Sequence, residues 1–373
     1  MSVSSIEGIR LGSSNSLFKI YVQGSDAALV LTIYEPPEVT PAGLTNEAYQ
    51  VMLRYLEYLG SALNAAVDKY GEPIRLQVPI PLEARASSPH RAPFVEVSLD
   101  GVTKTVSIVP FIRGKSYENN PGELAEPGEA FLTGRALAGY LTIAQAYPEP
   151  GLFPSFDYAI YTREISRISH KRIALKRLGY VLSDHSLEGL RAEKKGRDYL
   201  SEMKSAGRQL LSDWQQATIH KPAFASTLIH CDLFTDNVLI DDEGLLYLLD
   251  FSETGFGPIG IDIGIALTSW ASQNGVISSN NLIRFLEGFD SVMDLTAEQL
   301  SQVPVFSMIG AYRWETFRIQ RIEMQDPRKR DLRSPAEFQS IRQAWKGLQE
   351  VFEELRNVDD LAARLAHRDA HGD

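Results

Sequence analysis

The chain has 373 residues and carries 37 Lys and Arg against 48 Asp and Glu, a formal net charge of −11. That acidic balance excludes a general polyanion binder, because nucleic-acid affinity rests on phosphate neutralisation by Lys and Arg. Hydrophobic content of 44% suffices for two or three domains, or two lobes, and the single cysteine, Cys231, excludes intrachain disulfides and cysteine-built metal sites.

The opening residues, MSVSSIEGIRLGSS, lack the charged-then-apolar plan of a secretion signal, and no apolar run reaches the ~20 residues of a membrane span. A cytoplasmic protein with no membrane and no nucleic-acid partner is expected. Residues 16–34 read as two β-rich segments around Gly24-Ser25-Asp26, a hairpin signal. A helix is expected over 45–69, where Val51, Leu53, Leu56, Leu59 and Leu63 recur at helical spacing. Three extended segments follow, LQVPIPLEA, FVEVSL and TVSIVPFI, so the first 112 residues read as a mainly antiparallel sheet with one long helix. After the loop marked by Pro121, Gly122, Pro127 and Gly128, helical patterns dominate: 129–146, 160–176, 187–217, 280–291, 303–323 and 334–367. One β-rich island, 226–250, interrupts them. The fold class is therefore α+β in two lobes, 1–112 and 113–373.

The island carries the chemistry. It reads LIHCDLFTDNVLIDDEGLLYLLDFSETGFGPIGID over 228–262, with His230-x-Asp232, then Asn237, then Asp250 opening Asp-Phe. Between Asn237 and Asp250 lies a small hairpin turning at 241–244, which brings three oxygen-bearing side chains to one end. Phosphoryl transfer from ATP needs one carboxylate to orient the acceptor hydroxyl and hard oxygen ligands for Mg²⁺. Asp232 fits the first role; Asn237 and Asp250 fit the second. Taken singly, Asp232 reads equally as a turn residue and Asp250 as a strand-end cap; the spacing of all three, with the hairpin between, favours the kinase chemistry.

That spacing resembles the protein-kinase signature. The chain is similar to the aminoglycoside phosphotransferase and choline kinase superfamily, which shares the protein-kinase-like fold. The run HCDLFTDNVLIDDEGLLYLLDFSETGFGPIGIDIGIALTSW most resembles kinase-like bacterial homoserine kinases. Cys231 stands at the variable middle position of H-x-D, and Ser252 follows Phe251 where protein kinases have Gly. The resemblance implies a structural role for His230, and a brace behind the catalytic loop that Asp262, after Gly257-Pro258, would supply.

In the N-terminal part, Gly12-Ser13-Ser14-Asn15-Ser16 fits a loop whose backbone approaches nucleotide phosphates, as in the family's G-x-x-N-S stretch; it reads equally as an ordinary turn. Gly12, Ser13, Asn15 and Ser16 are the nucleotide-binding candidates there. Thr32 stands where kinases place the phosphate-gripping Lys, and the homoserine-kinase branch has a similar run. Lys19 could substitute if it faces the cleft, or be a solvated edge residue; Glu47 is a candidate for the acid of the long helix. Val109 and Phe111 are candidates for the apolar walls of an adenine slot, or part of a plain buried strand. Acceptor recognition in this superfamily comes from helices flanking the catalytic loop, which makes Glu253, Trp270, Tyr312, Arg313 and Trp314 candidates by position. Glu253 could pair an amine and Arg313 fork onto a carboxylate.

The expected activity is ATP- and Mg²⁺-dependent phosphorylation of a small-molecule hydroxyl, homoserine or a related amino alcohol. The rivals are another acceptor (choline, an aminoglycoside, a protein Ser/Thr) and a nucleotide-binding pseudokinase, which Thr32 supports and the intact Asp232, Asn237 and Asp250 set opposes. Oligomeric state is open.

Overall fold

The computed structural model describes residues 2–9, 15–25, 27–36, 44–83, 92–116, 125–160, 163, 187–273 and 276–324. The helix expected over 334–367, nearly all of that over 160–176, and Gly12 and Ser13 lie outside the described residues.

The N-terminal sheet has the order β1-β2-β3-β6-β5, from β1 (Val3–Ile9), β2 (Ser16–Val22), β3 (Ala28–Ile33), β5 (Val95–Leu99) and β6 (Val102–Pro110), every pair antiparallel. Gly24, at φ +76°, makes the tight turn of the β2–β3 hairpin, in the left-handed region that an L side chain enters at a cost. β1 lacks the alternation expected of a strand. It is an outer strand exposed along nearly its whole length, so no apolar face marks it in the sequence.

Helix α1 (Asn46–Leu63) starts where the Thr45 hydroxyl accepts from the Ala48 amide, a side-chain cap. Its buried stripe, Tyr49, Met52, Leu53, Leu56, Leu59 and Leu63, follows the helical repeat and joins the sheet to the helices beyond. Asn46 fastens it to β6, accepting from the Thr105 amide at 3.0 Å, and Tyr55 reaches Tyr140 at 3.3 Å on helix α2 (Pro127–Ala144).

β4 is shorter than LQVPIPLEA suggests, only Leu76–Gln77, and it does not join the N-terminal sheet. It pairs in parallel with β9 (Leu246–Leu248), which itself pairs antiparallel with β8 (Val238–Ile240). A segment expected in the first lobe is thus the third strand of the sheet built on the β8–β9 hairpin.

The helical part is close-packed. Helix α5 (Ser279–Asp290) crosses α2 where Gly134 and Gly288 face each other's chains, and a Cβ on either would strike the carbonyl of Phe285 or Phe131. Between them in sequence come α3 (Leu187–Gln215), β7 (Ser226–Ile229), β10 (Gly255–Pro258), which pairs with β7, then α4 (Gly260–Trp270) and the short ribbon β11 (Ser272–Gln273) and β12 (Val276–Ile277). The helical reading passes over α4 because IGIDIGIAL, Asp262 apart, is apolar on every side. Such a helix belongs in a core and shows no stripe. Helix α6 (Ala297–Met324) begins before the expected 303. Thr296 and Gln299 bond each other's backbone amides there, a capping box. Among the described residues no helix is long and apolar enough to cross a membrane.

Candidate active site

The loop after β7 is shaped by one buried carboxylate. Asp262, in the first turn of α4, accepts from two consecutive amides, His230 at 2.7 Å and Cys231 at 2.8 Å. Burial pushes its carboxyl up to about 6, against the pull of those two amides. The grip holds Cys231 at φ +64°, next to a partly buried Asp232.

His230 is fully buried, and burial pushes its pKa down to about 4, so the ring is neutral. Its Nδ1 lies 3.3 Å from the Asp232 amide, which can only donate, so the ring proton sits on Nε2 and goes to the Leu249 carbonyl at 2.8 Å. The ring packs 4.6 Å from Phe251, which in turn touches Tyr140 of α2 and Tyr55 of α1 edge-on. The hairpin places Asn237 beside Asp250, because the Leu249 amide donates to the Asn237 carbonyl at 2.9 Å. Asp250 itself sits at φ +53°, ψ +76°, its carboxylate exposed and held by the Ser252 hydroxyl at 2.6 Å.

Asp232 is bound at both oxygens. Asn237 donates to Oδ2 at 2.8 Å, and Arg313 of α6 donates to Oδ1 at 3.3 Å. The other arm of Arg313 reaches Glu253 Oε2 at 3.0 Å. Burial raises the Asp232 carboxyl to about 7. Arg313 works against this, and the charges of Asp250, Glu253 and Asp236 add to it. The contact between Arg313 and Asp232 is missing from the sequence reading, since nothing local ties a residue on α6 to the catalytic loop.

The acceptor candidates separate. Glu253 is half-exposed at 45% and Arg313 is nearly buried at 6%. Trp270 and Tyr312 are wholly buried core residues, which corrects the reading of Trp270 as a pocket wall. The side chain of Trp314 lies outside the described residues.

Above this floor lies one face of the N-terminal sheet. Strand pairing puts Leu17, Lys19, Val30, Thr32, Ser107 and Val109 on it together. The same face meets α1, for Tyr34 stacks 4.5 Å from Tyr49 and reaches Ser107 at 3.2 Å. Tyr34, pushed up to about 12 chiefly by burial, and Tyr49, also raised, both feel the charge of Asp250. The sheet face and the metal candidate therefore confront each other. Lys19 lies over the Phe111 ring, its ammonium 3.8 Å from the centre, so it is no solvated edge residue. Glu47 is exposed, and Tyr49 takes the inward position on α1.

Asn15 anchors the loop exit: its Oδ1 accepts from the Glu35 amide at 3.2 Å and the Tyr49 hydroxyl at 3.1 Å. Ser16 donates to Glu35, whose other oxygen meets Lys104 at 2.6 Å in a pair with both side chains 13% exposed. The Lys104–Glu35 pair has no signature in the sequence, because the partners lie on β6 and just past β3.

Among the described residues no three of His, Cys, Asp and Glu form a metal cluster. The donor set that fits Mg²⁺ is Asn237 with Asp250. The Asn237 amide turns its nitrogen to Asp232, which leaves its oxygen for another partner.

A model of the phosphotransferase enzyme family matches residues 5–295. Homoserine kinases of Beijerinckia indica subsp. indica and Sinorhizobium fredii are 34% identical over 98 residues and 35% over 88. These stretches cover 26% and 23% of this chain but only 30% and 27% of those proteins. Among solved structures, a microcompartment-associated aminopropanol kinase superposes with a TM-score of 0.58 at 16% identity, over 97% of this chain and 94% of its own. A choline/ethanolamine kinase family protein from Mesorhizobium loti gives 0.54 at 14%, covering 96% and 93%. An amicoumacin kinase in complex with AMP-PNP and Ca²⁺ gives 0.59 at 13%, covering 94% and 91%. At such identities the likeness shows the fold, which agrees with the expected two-part α+β architecture.

Proposed function

The chain belongs to the phosphotransferase enzyme family, and from that premise we propose that it acts on a hydroxyl acceptor, moving the γ-phosphoryl group of ATP to the hydroxyl of a small amino alcohol or amino acid, homoserine first. One observation carries this reading: Asp232, Asn237 and Asp250 meet at one end of the β8–β9 hairpin, with Asp232 held at both carboxylate oxygens. The acceptor hydroxyl would lie against Asp232. As its oxygen bonds to the γ-phosphorus, the bond to the β-phosphate oxygen breaks, ADP leaves, and the hydroxyl proton passes to Asp232. Asn237 and Asp250 would hold Mg²⁺, which neutralises phosphate charge when bound. His230 and Asp262 shape the loop and stay outside the chemistry. The boundary between nucleotide and acceptor lobes would fall at about residue 112, with β4 reaching across it. Val109 and Phe111 would wall the adenine, Lys19 above Phe111, and Asn15 and Ser16 would fix the phosphate loop with Gly12 and Ser13. Glu253, exposed beside Asp232, would pair the acceptor's ammonium. A cytoplasmic setting and a small-molecule partner belong to the same reading.

A second reading keeps the chemistry and drops the acceptor's carboxylate. The amino-alcohol and choline/ethanolamine kinases among the solved neighbours favour it, as does an Arg313 whose two arms are already engaged. Phosphate transfer from ATP to homoserine, 1-amino-2-propanol, choline, kanamycin and a Ser/Thr protein, measured under one condition, separates them. Homoserine should win. If it is inert while another acceptor is phosphorylated, the amino-acid assignment fails; if none is phosphorylated while ATP binds, the pseudokinase stands.

A further inference from the structure

Arg313 lies far from the catalytic loop in sequence, yet its guanidinium is built into the site. Its side chain is 6% exposed, its Nη1 faces Asp232 Oδ1 at 3.3 Å, and its Nη2 faces Glu253 Oε2 at 3.0 Å. Asn237 holds the other oxygen of the same carboxylate at 2.8 Å. A carboxylate gripped at one oxygen still swings about its last bond; gripped at both, by a side-chain amide and a guanidinium from different elements, it has a single orientation. Glu253 does the same for the guanidinium, because a planar fork with both arms engaged cannot rotate out. We propose that Arg313 is a positioning residue: it aims the Asp232 carboxylate at the acceptor hydroxyl, with Glu253 as the stay that holds Arg313 in place.

This gives Arg313 a different task from the one its position alone suggests. An acceptor carboxylate would have to share the guanidinium with Glu253 at Nη2, whereas its Nη1 serves Asp232 whatever the acceptor. The inference rests on the phosphotransfer reading for its kinetic test but not for its structural one.

Arg313→Met keeps the buried bulk and removes the fork, Arg313→Lys keeps a charge at one point, and Glu253→Ala releases the stay. With the full-length chain, kcat and both KM values are measured for homoserine and for 1-amino-2-propanol, which has no carboxylate. Misaiming a reacting group by about an ångström costs roughly 10²-fold, so Arg313→Met should lower kcat ~30–100-fold with every acceptor used, leaving the ATP KM within about two-fold. Arg313→Lys should recover most of kcat, and Glu253→Ala should lose roughly 3–10-fold. An unchanged kcat overturns the proposal. So does a loss confined to the KM of homoserine, which would return Arg313 to acceptor binding. If Arg313→Met does not fold, by thermal melting, the Lys and Glu253 variants decide by the same criteria. If the wild-type chain phosphorylates neither compound, the functional reading fails separately, and crystal structures of wild type and Arg313→Lys decide this one. The proposal requires the lysine ammonium at Asp232 Oδ1 with the carboxylate unturned; a lysine pointing elsewhere beside an unturned carboxylate overturns it.

Discussion

The floor and the roof of the cleft solve the same electrostatic task by different means. On the floor, between His230 and Asp262, charged groups are close together and each has a short bond: Asp262 to two amides, Asp232 to Asn237 and Arg313, Asp250 to Ser252. On the roof, the sheet face opposite Asp250 carries Thr32, Val30, Val109 and the Tyr34–Tyr49 stack, with Lys19 drawn aside onto Phe111. In the proposed reaction the floor would act on a proton and a metal, and the roof would supply shape, leaving the phosphates to the metal and to backbone amides. Where the Lys–Glu pair of other kinases would join strand and helix, two tyrosines do so through packing, which does not depend on salt.

That contrast can be broken from either side. Asp232→Asn should lower kcat by ~10²–10⁴-fold with Mg·ATP affinity nearly unchanged, as measured by steady-state kinetics and calorimetry. Retained turnover would remove Asp232 from the chemistry. Asp250→Ala should abolish most of the Mg²⁺-dependent gain in nucleotide affinity, a loss of about 10-fold or more for an uncompensated charged ligand. Titrations with and without Mg²⁺ read it, and equal affinities for mutant and wild type would oppose the assignment.

On the roof the effects should be smaller and confined to nucleotide binding. Asn15→Ala removes the acceptor of two hydrogen bonds, about 1–3 kcal/mol together, and should raise the ATP KM roughly 10-fold while sparing kcat. Lys19→Ala should raise it only about 2–5-fold, in keeping with a cation–π contact of about 0.5–1 kcal/mol. A large kcat loss in the Lys19 variant would mean that it grips phosphate after all, and the two walls would then be alike.

Legibility followed the same division. The floor could be read because its residues are bound by spacing: an H-x-D loop, an Asn opening one strand and an Asp closing its partner leave few other geometries. The amphipathic helix α1 and the β2–β3 hairpin showed for similar reasons, a repeat and a turn glycine. Features whose partners are distant did not show. Arg313 carries no sign that Asp232 is its neighbour, and Lys104 none that Glu35 is. Helix α4 is buried on nearly every side with no polar stripe, and β1 is exposed nearly throughout, so neither has the contrast that periodicity needs. The start of α6 was in reach, for Thr296 and Gln299 are a capping-box pair at the right interval.

The parallel pairing of Leu76 with Leu246 also governs how the molecule is made. During synthesis β4 leaves the ribosome long before β9 exists, so it waits with its hydrogen-bonding edge unsatisfied while α2 and α3 are still being added. Closing so long a loop is entropically slow, and the contact comes late. The β8–β9 hairpin thus completes its sheet only near the end of folding, and a chain stalled before Leu246 would expose β4 as a sticky edge and lack Asp250.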